Sequence, residues 1–294
     1  MAGVVSRHEP EAQAPPATAR SVAASSPRSP AWSRGLVLVG WFLASILLAF
    51  ILLPLLALAA NQTRGDLLRV AGSMDVLRAI WLSLEGAVLA ALLAAFFGVP
   101  LAYLLARSEF RGKRLISAIV DVPLAVPHTV AGIALLFVFG RQGFVGGPAS
   151  RVGIQFWGTL AGIVVAMLFV SVPYTVNAAR IGFEAIDPRL EKVARTLGHG
   201  QWAVFLRVTL PLAWRGIMTG ITLTFARAIG EFGAVVILVY YPMTAPVKIY
   251  ELFLRFGIED ATGMSLLLLA VSLLIFILLR YLAYGRGHAL GGGR

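Results

Sequence analysis

Two charged residues at a spacing of four, Arg227 and Glu231, lie inside an apolar run of this 294-residue chain. An ionisable side chain within a membrane-spanning segment is costly unless paired or hydrated, which makes it a functional hypothesis by default. On a helix both side chains share one face and can form an ion pair. If the run crosses a membrane from residue 216 to 240, Arg227 sits about 16 Å in, near the middle of a core roughly 30 Å thick. Two roles fit this placement. The pair can be packing glue, each charge neutralising the other. Alternatively, Arg227 lines a path for an anion while Glu231 holds its guanidinium, whose planar fork stays charged when partly desolvated. Glu85, and Asp121 with His128 on a proline-interrupted stretch, are secondary candidates. Snorkelling or capping accounts equally for Asp121, and a satisfied core imidazole accounts for His128.

Other chemistries lack their residues. There is no cysteine, which excludes thiolate catalysis, disulfides and Cys-ligated metal centres. The histidines at 8, 128, 199 and 288 are too dispersed for a local metal-ligand motif. No serine is paired with a histidine at helical spacing inside an apolar run, as an intramembrane hydrolase would need. A phosphate-cradling G-x-x-x-x-G-K-[ST] loop is also missing, because Gly112-Lys113 is followed by Arg114.

The elements that must position the charges follow from composition. The chain is 59% hydrophobic and 13% charged with a mean hydropathy of +0.84, against about 25% charged for soluble proteins. This is an all-α membrane protein. Runs of about the length a spanning helix needs occur at 36–60, 80–106, 115–140, 157–179, 216–240 and 263–284. Six crossings put both termini on one side. Of the 25 Lys and Arg, seventeen fall in the tails and the connections on that side, seven fall opposite, and one is Arg227. The asymmetry places both termini in the cytoplasm. Residues 1–35, rich in Ala, Ser, Pro and Arg, read as a disordered tail, and 285–294 as a second cytoplasmic tail. Pro123, Pro127 and Pro173 interrupt spans, which is tolerable only against protein or a water-filled path. Gly158 with Gly162, and Gly216 with Gly220, have the spacing that lets helix backbones approach, within one bundle or across a dimer seam.

The longest connection on the cytoplasmic side, residues 180–215, has structure of its own. Asp187 can cap a helix, Pro188 suits its first position and Gly198 can close it. Leu190, Val193, Ala194 and Leu197 form an apolar stripe at helical spacing. Trp202, Phe205 and Leu206 continue an apolar face after a glycine-rich bend, giving two short amphipathic helices. Such a segment could also lie on the lipid surface.

These residues resemble a known pattern. Glu191-Lys-Val-Ala194-Arg-Thr-Leu-Gly198, followed by Leu210-Pro211, is similar to the EAA loop of permease subunits of type I ABC importers, with Lys192 standing where the pattern has its first Ala. The resemblance extends over about 78–284 and implies an importer transmembrane domain with a coupling segment at 184–211. It assigns docking on an ATPase subunit to Glu191, Ala194, Gly198, Leu210 and Pro211. The stretches Asp121–Gly132 and Ala226–Ala234 look like the oxyanion branch, and Tyr240–Glu251 is most similar to tungstate and molybdate permeases. Sulfate permeases more usually have Tyr and Ser where Phe232 and Ala234 stand. Sulfate or thiosulfate is therefore the nearest rival cargo, and an ion-coupled secondary transporter is the rival from another class.

The resemblance implies a multi-pass bacterial or archaeal plasma-membrane protein that is not itself an enzyme. It carries no cofactor of its own, and ATP and Mg are bound by ATPase subunits. The other expected partners are an extracytoplasmic oxyanion-binding protein, a second copy of the chain and membrane lipid, with no nucleic acid.

Overall fold

The computed structural model describes Gly3 and residues 34–285, and all regular structure among the described residues is helical. The expected tails, apart from Gly3 and residues 34, 35 and 285, lie outside the described residues. The chain divides into two units after Pro54. Most of the first helix, α1 (Arg34–Ala60), belongs to the first unit. It is 27 residues long and apolar enough to cross a membrane despite Pro54.

The second unit contains α2 (Arg64–Ala71), α3 (Met74–Arg107), α4 (Lys113–Ala125), α5 (His128–Phe139), α6 (Gly146–Arg151), α7 (Leu160–Glu184) and α8 (Pro188–Thr196). A continuous helix from Gln201 to Ile229 follows. It comprises α9 (Gln201–Val204), a π turn (Phe205–Thr209) and α10 (Leu210–Ile229). The chain ends in α11 (Gly233–Leu238), α12 (Ala245–Phe256) and α13 (Ile258–Gly285).

Small residues bring the long helices together. On α3 the buried positions Ala79, Ser83, Ala87, Ala90, Ala94, Gly98 and Ala102 recur at helical spacing. This stripe packs against α7, where a Cβ on Gly86 would lie 3.0 Å from Ile163 and one on Gly98 3.0 Å from Val176. In lipid the hydrophobic effect does not drive helices together, so close backbone approach and hydrogen bonds do so instead. The same devices join α7 to α10. A Cβ on Gly216 would sit 2.7 Å from the Gly182 Cα, and the buried hydroxyls of Thr175 and Thr224 lie 2.6 Å apart. Gly216 and Gly220 therefore serve packing within one chain. Gly158 is not helical at all, with φ +70°, so the Gly158–Gly162 spacing is no helix seam.

Two spans differ from the sequence expectation. The stretch expected at 115–140 is two short helices, α4 and α5, bent by 114° at Val126-Pro127. The chain nevertheless crosses there. Arg107 at the end of α3 contacts Ile186 and Glu191, just beyond the end of α7, so both helices finish on the same side, and residues 108–159 must carry the chain across. The stretch expected at 216–240 begins earlier, at Gln201, and breaks at Gly230-Glu231-Phe232. The expected second short amphipathic helix is thus the first part of a long spanning one.

The π turn has a local cause. Pro211 has no N–H to return to the carbonyl four residues back and its ring would collide there. The preceding turn widens, with the Leu210 N–H reaching Phe205 O instead.

Candidate functional site

Two constellations emerge from this frame. The first is α8. The Asp187 carboxylate accepts from the Arg189 N–H at 2.8 Å, Pro188 occupies the first turn, and Gly198 ends the helix at φ +88°. Start and stop match what the residue types dictate. A Cβ on Gly198 would meet nothing within 4 Å, so glycine serves the backbone angle and not space.

Only Glu191 and Ala194 of α8 turn inward and are buried. Leu190, Val193 and Leu197 project outward, joined by Trp202, which is 79% exposed. Arg189, Lys192 and Arg195 flank them, also exposed. Of the residues assigned to docking by resemblance, Glu191 and Ala194 anchor the helix to the bundle, and Gly198 shapes its exit. Leu210 is half-buried against the core that contains Phe183 and Ile217, and Pro211 is exposed on the first turn of α10. The outward apolar face is the part available to another protein.

The second constellation lies where the two broken spans meet. Arg227 is in the last turn of α10, and Glu231 follows within the break. Their ion pair is present, with Arg227 Nη2 2.8 Å from Glu231 Oε2. Glu231 is 1% exposed, and its other oxygen accepts the Ala234 N–H at 2.8 Å, which caps the restart of the chain as α11. His128 joins them from the first turn of α5. Its Nε2 and Nδ1 lie 2.7 and 3.1 Å from Arg227 Nη2, and its Nδ1 lies 3.6 Å from Glu231 Oε2. A guanidinium has only donors, so the imidazole nitrogen facing it accepts. Close packing fixes this meeting. A Cβ on Gly233 would lie 2.7 Å from His128 Cβ, and one on Gly132 would lie 2.8 Å from Ile237 Cβ.

Arg227 is thus held by one nitrogen, Nη2. Among the described residues its Nη1 and Nε make no hydrogen bond, and the side chain is 24% exposed. Three N–H donors remain free beside a half-exposed imidazole, which is a setting suited to an anion. The remaining candidates do not join in. Asp121 accepts from Asn177 Nδ2 at 2.7 Å, and Glu85 lies on the exposed face of α3.

The sequence reading named His128 only as a secondary candidate, apart from Arg227 and Glu231, and it missed Arg107. The Arg107 Nε donates to Glu191 Oε1 at 3.0 Å and its Nη2 donates to the Ile186 carbonyl at 3.0 Å. No short-range spacing signals either contact. The only hint was Pro127 immediately before His128.

Comparison with known proteins covers most of the chain. The sequence pattern of the family described as binding-protein-dependent transport system inner membrane component matches residues 98–285. A molybdate/tungstate transport system permease protein of Thermococcus kodakarensis is 43% identical over 84% of this chain and 95% of its own length. A probable sulfate transport system permease protein of Chlorokybus atmophyticus is 36% identical over 79% of this chain and 83% of its own. A crystal structure of a bacterial ABC transporter involved in the import of the acidic polysaccharide alginate superposes with TM-score 0.69. It covers 85% of this chain and 96% of its own at 18% identity, a likeness of fold alone.

Proposed function

The chain belongs to the family of binding-protein-dependent transport system inner membrane components, and from that premise we propose that it forms the membrane path for a tetrahedral oxyanion, tungstate or molybdate, in an ATP-driven importer. It is a permease subunit and not an enzyme. Hydrolysis belongs to a separate ATPase subunit, which binds ATP and Mg. The transmembrane domain runs over 78–284 and its coupling segment over 184–211. Both termini are cytoplasmic, which puts α8 on the side where ATP is available.

In this reading Leu190, Val193, Leu197 and Trp202 dock on the ATPase, while Glu191, Ala194, Gly198, Leu210 and Pro211 hold the docking surface in shape. A second copy of the chain completes the path, and an extracytoplasmic binding protein selects and delivers the anion. The observation that carries the anion path is the anchored guanidinium. Glu231 neutralises Arg227 in part while leaving three of its donors free at the junction of two broken helices. Irregular backbone at membrane depth is stable only where it is buried in protein or lines a hydrated cavity. The pair lowers the barrier for a dianion without trapping it.

Sulfate is the second reading, favoured by the 36% identical relative. The two separate in a reconstituted complex with the cognate binding protein. Uptake of labelled tungstate should be displaced by molybdate at concentrations where sulfate and thiosulfate have no effect. Equal displacement by sulfate would transfer the assignment to the sulfate branch.

A further inference from the structure

The inward side of α8 is tied to the bundle by one carboxylate. Glu191 Oε1 accepts from Arg107 Nε at 3.0 Å and from Thr209 Oγ1 at 3.1 Å. Both charged side chains are largely buried, 13% and 7% exposed. Glu191 therefore joins three pieces: α8 itself, the last residue of α3 and the π turn that opens into α10. Tyr103, one turn before Arg107, reinforces the junction by edge contacts with Phe183 at 5.3 Å and Phe205 at 4.9 Å. Arg107 also grips the Ile186 carbonyl just before α8. A basic residue in the last turn of α3 is favoured by the helix dipole alone. The dipole does not explain why a buried carboxylate from another element is held against it.

We propose that Arg107 is the positioning residue through which movement of the docking helix reaches the membrane-spanning bundle, with Glu191 as its contact on α8. The proposal rests on the docking reading of α8. Along the chain, α8 connects to α7 through Ala185, Ile186 and Asp187, of which Ile186 is buried and has its carbonyl held by Arg107, and to α9 through Gly198, His199 and Gly200, where side chains added at either glycine would meet open space. Arg107 therefore grips both the lead-in to α8 and, through Glu191, the helix itself. The Arg107 bridge is direct and enters α3, whose small-residue stripe packs along α7. Arginine fits because its fork donates from Nε to the carboxylate while Nη2 holds the carbonyl, which a lysine ammonium on a flexible stem does not reproduce.

The test uses the permease with its cognate ATPase and binding protein in vesicles, and reads ATPase co-purification, basal hydrolysis, stimulation by the loaded binding protein, and uptake. Arg107→Met should keep the ATPase bound and hydrolysing at the basal rate. Stimulation and uptake should fall by about tenfold, within the usual size of a coupling between sites. Arg107→Lys should fall between this variant and the unmodified chain. It keeps a cation beside the buried Glu191 carboxylate, so it decides even where Arg107→Met assembles poorly. Full stimulation and uptake in either variant would reduce the bridge to a structural contact and overturn the proposal. Loss of ATPase binding by Arg107→Lys would overturn it as well, because the bridge would then serve docking. Leu190→Glu should lose the ATPase outright. Its retention would refute the docking reading itself, a result separable from every outcome at Arg107.

Discussion

The imidazole of His128 and the guanidinium of Arg227, 99 residues apart in the chain, are in hydrogen-bond contact, with Nε2 2.7 Å from Nη2. The contact joins two helix breaks into one construction. The bend at Pro127 turns α5 so that its first residue meets the end of α10, and Gly132 and Gly233 allow α5 and α11 to approach closely enough to keep it there.

His128→Ala should leave the Arg227–Glu231 pair intact, since Glu231 keeps its contacts with Arg227 and the Ala234 N–H. Assembly and ATP hydrolysis should therefore be unchanged. The guanidinium loses one of two anchors, and a hydrogen bond to a charged group is worth about 1.5 kcal/mol or more, so the maximal uptake rate should fall about tenfold. An unchanged rate would remove His128 from the path.

Arg227→Met alone leaves the 1% exposed Glu231 without its cation, at a cost of about 3 kcal/mol, and should impair assembly. Adding Glu231→Gln removes the stranded charge and keeps an oxygen to accept the Ala234 N–H. If the pair were only packing glue, the double variant would regain uptake. With Arg227 serving the anion, the double variant should assemble and hydrolyse ATP yet transport poorly. Uptake measured beside assembly in the three variants separates the two roles.

The parts legible in the sequence are those set by neighbours in the chain. Asp187, Pro188 and Gly198 fix the limits of α8 through caps and backbone angles, and Arg227 with Glu231 announces itself by helical spacing. The unread parts depend on distant contacts. The bundle buries Glu191 against Arg107, and only packing between α5 and α11 brings His128 to Arg227. The start of the fifth span was hidden for a different reason: Arg207 and Arg215 interrupt the apolar run, although the backbone continues as helix through them from Gln201. Proline identified the interruption of the third span but gave no angle, and the backbone turns there by 114°.

At Gly198, φ is +88° and no neighbour lies within 4 Å of an added Cβ. Any penalty there is conformational. Gly198→Asn, which tolerates the left-handed region, should retain ATPase co-purification, whereas Gly198→Val should cost about 1–2 kcal/mol in the local turn and lose it. Equal behaviour of the two variants would separate docking from the helix exit.

The topology gives a labelling pattern, made clean by the absence of cysteine. Phe144 is 88% exposed in the connection between α5 and α6, on the side opposite α8. Phe144→Cys should react with an impermeant thiol reagent in intact cells, and Gly291→Cys, outside the described residues, should react only after permeabilisation. The reverse pattern would invert the orientation and place the docking helix away from ATP.

The approach of Gly182 to Gly216 sets how closely α7 and α10 lie, and through them how firmly the span carrying Arg227 is held. A Cβ at Gly216 would come within 2.7 Å of a backbone atom, which cannot rotate aside as a side chain could. The two helices would have to separate, straining the nearby hydrogen bond between Thr175 and Thr224. Gly216→Ala should cost about 1–3 kcal/mol by overpacking, and Gly216→Val more. The measurement is thermal stability of the detergent-purified permease, with Gly40→Ala and Gly40→Val as controls. Gly40 lies inside α1 without a positive φ and has open space around an added Cβ, so its substitution brings neither strain nor clash. A graded loss from Ala to Val at 216, absent at 40, identifies close helix contact as the cause, and equal losses at the two positions would assign the effect to helix propensity instead.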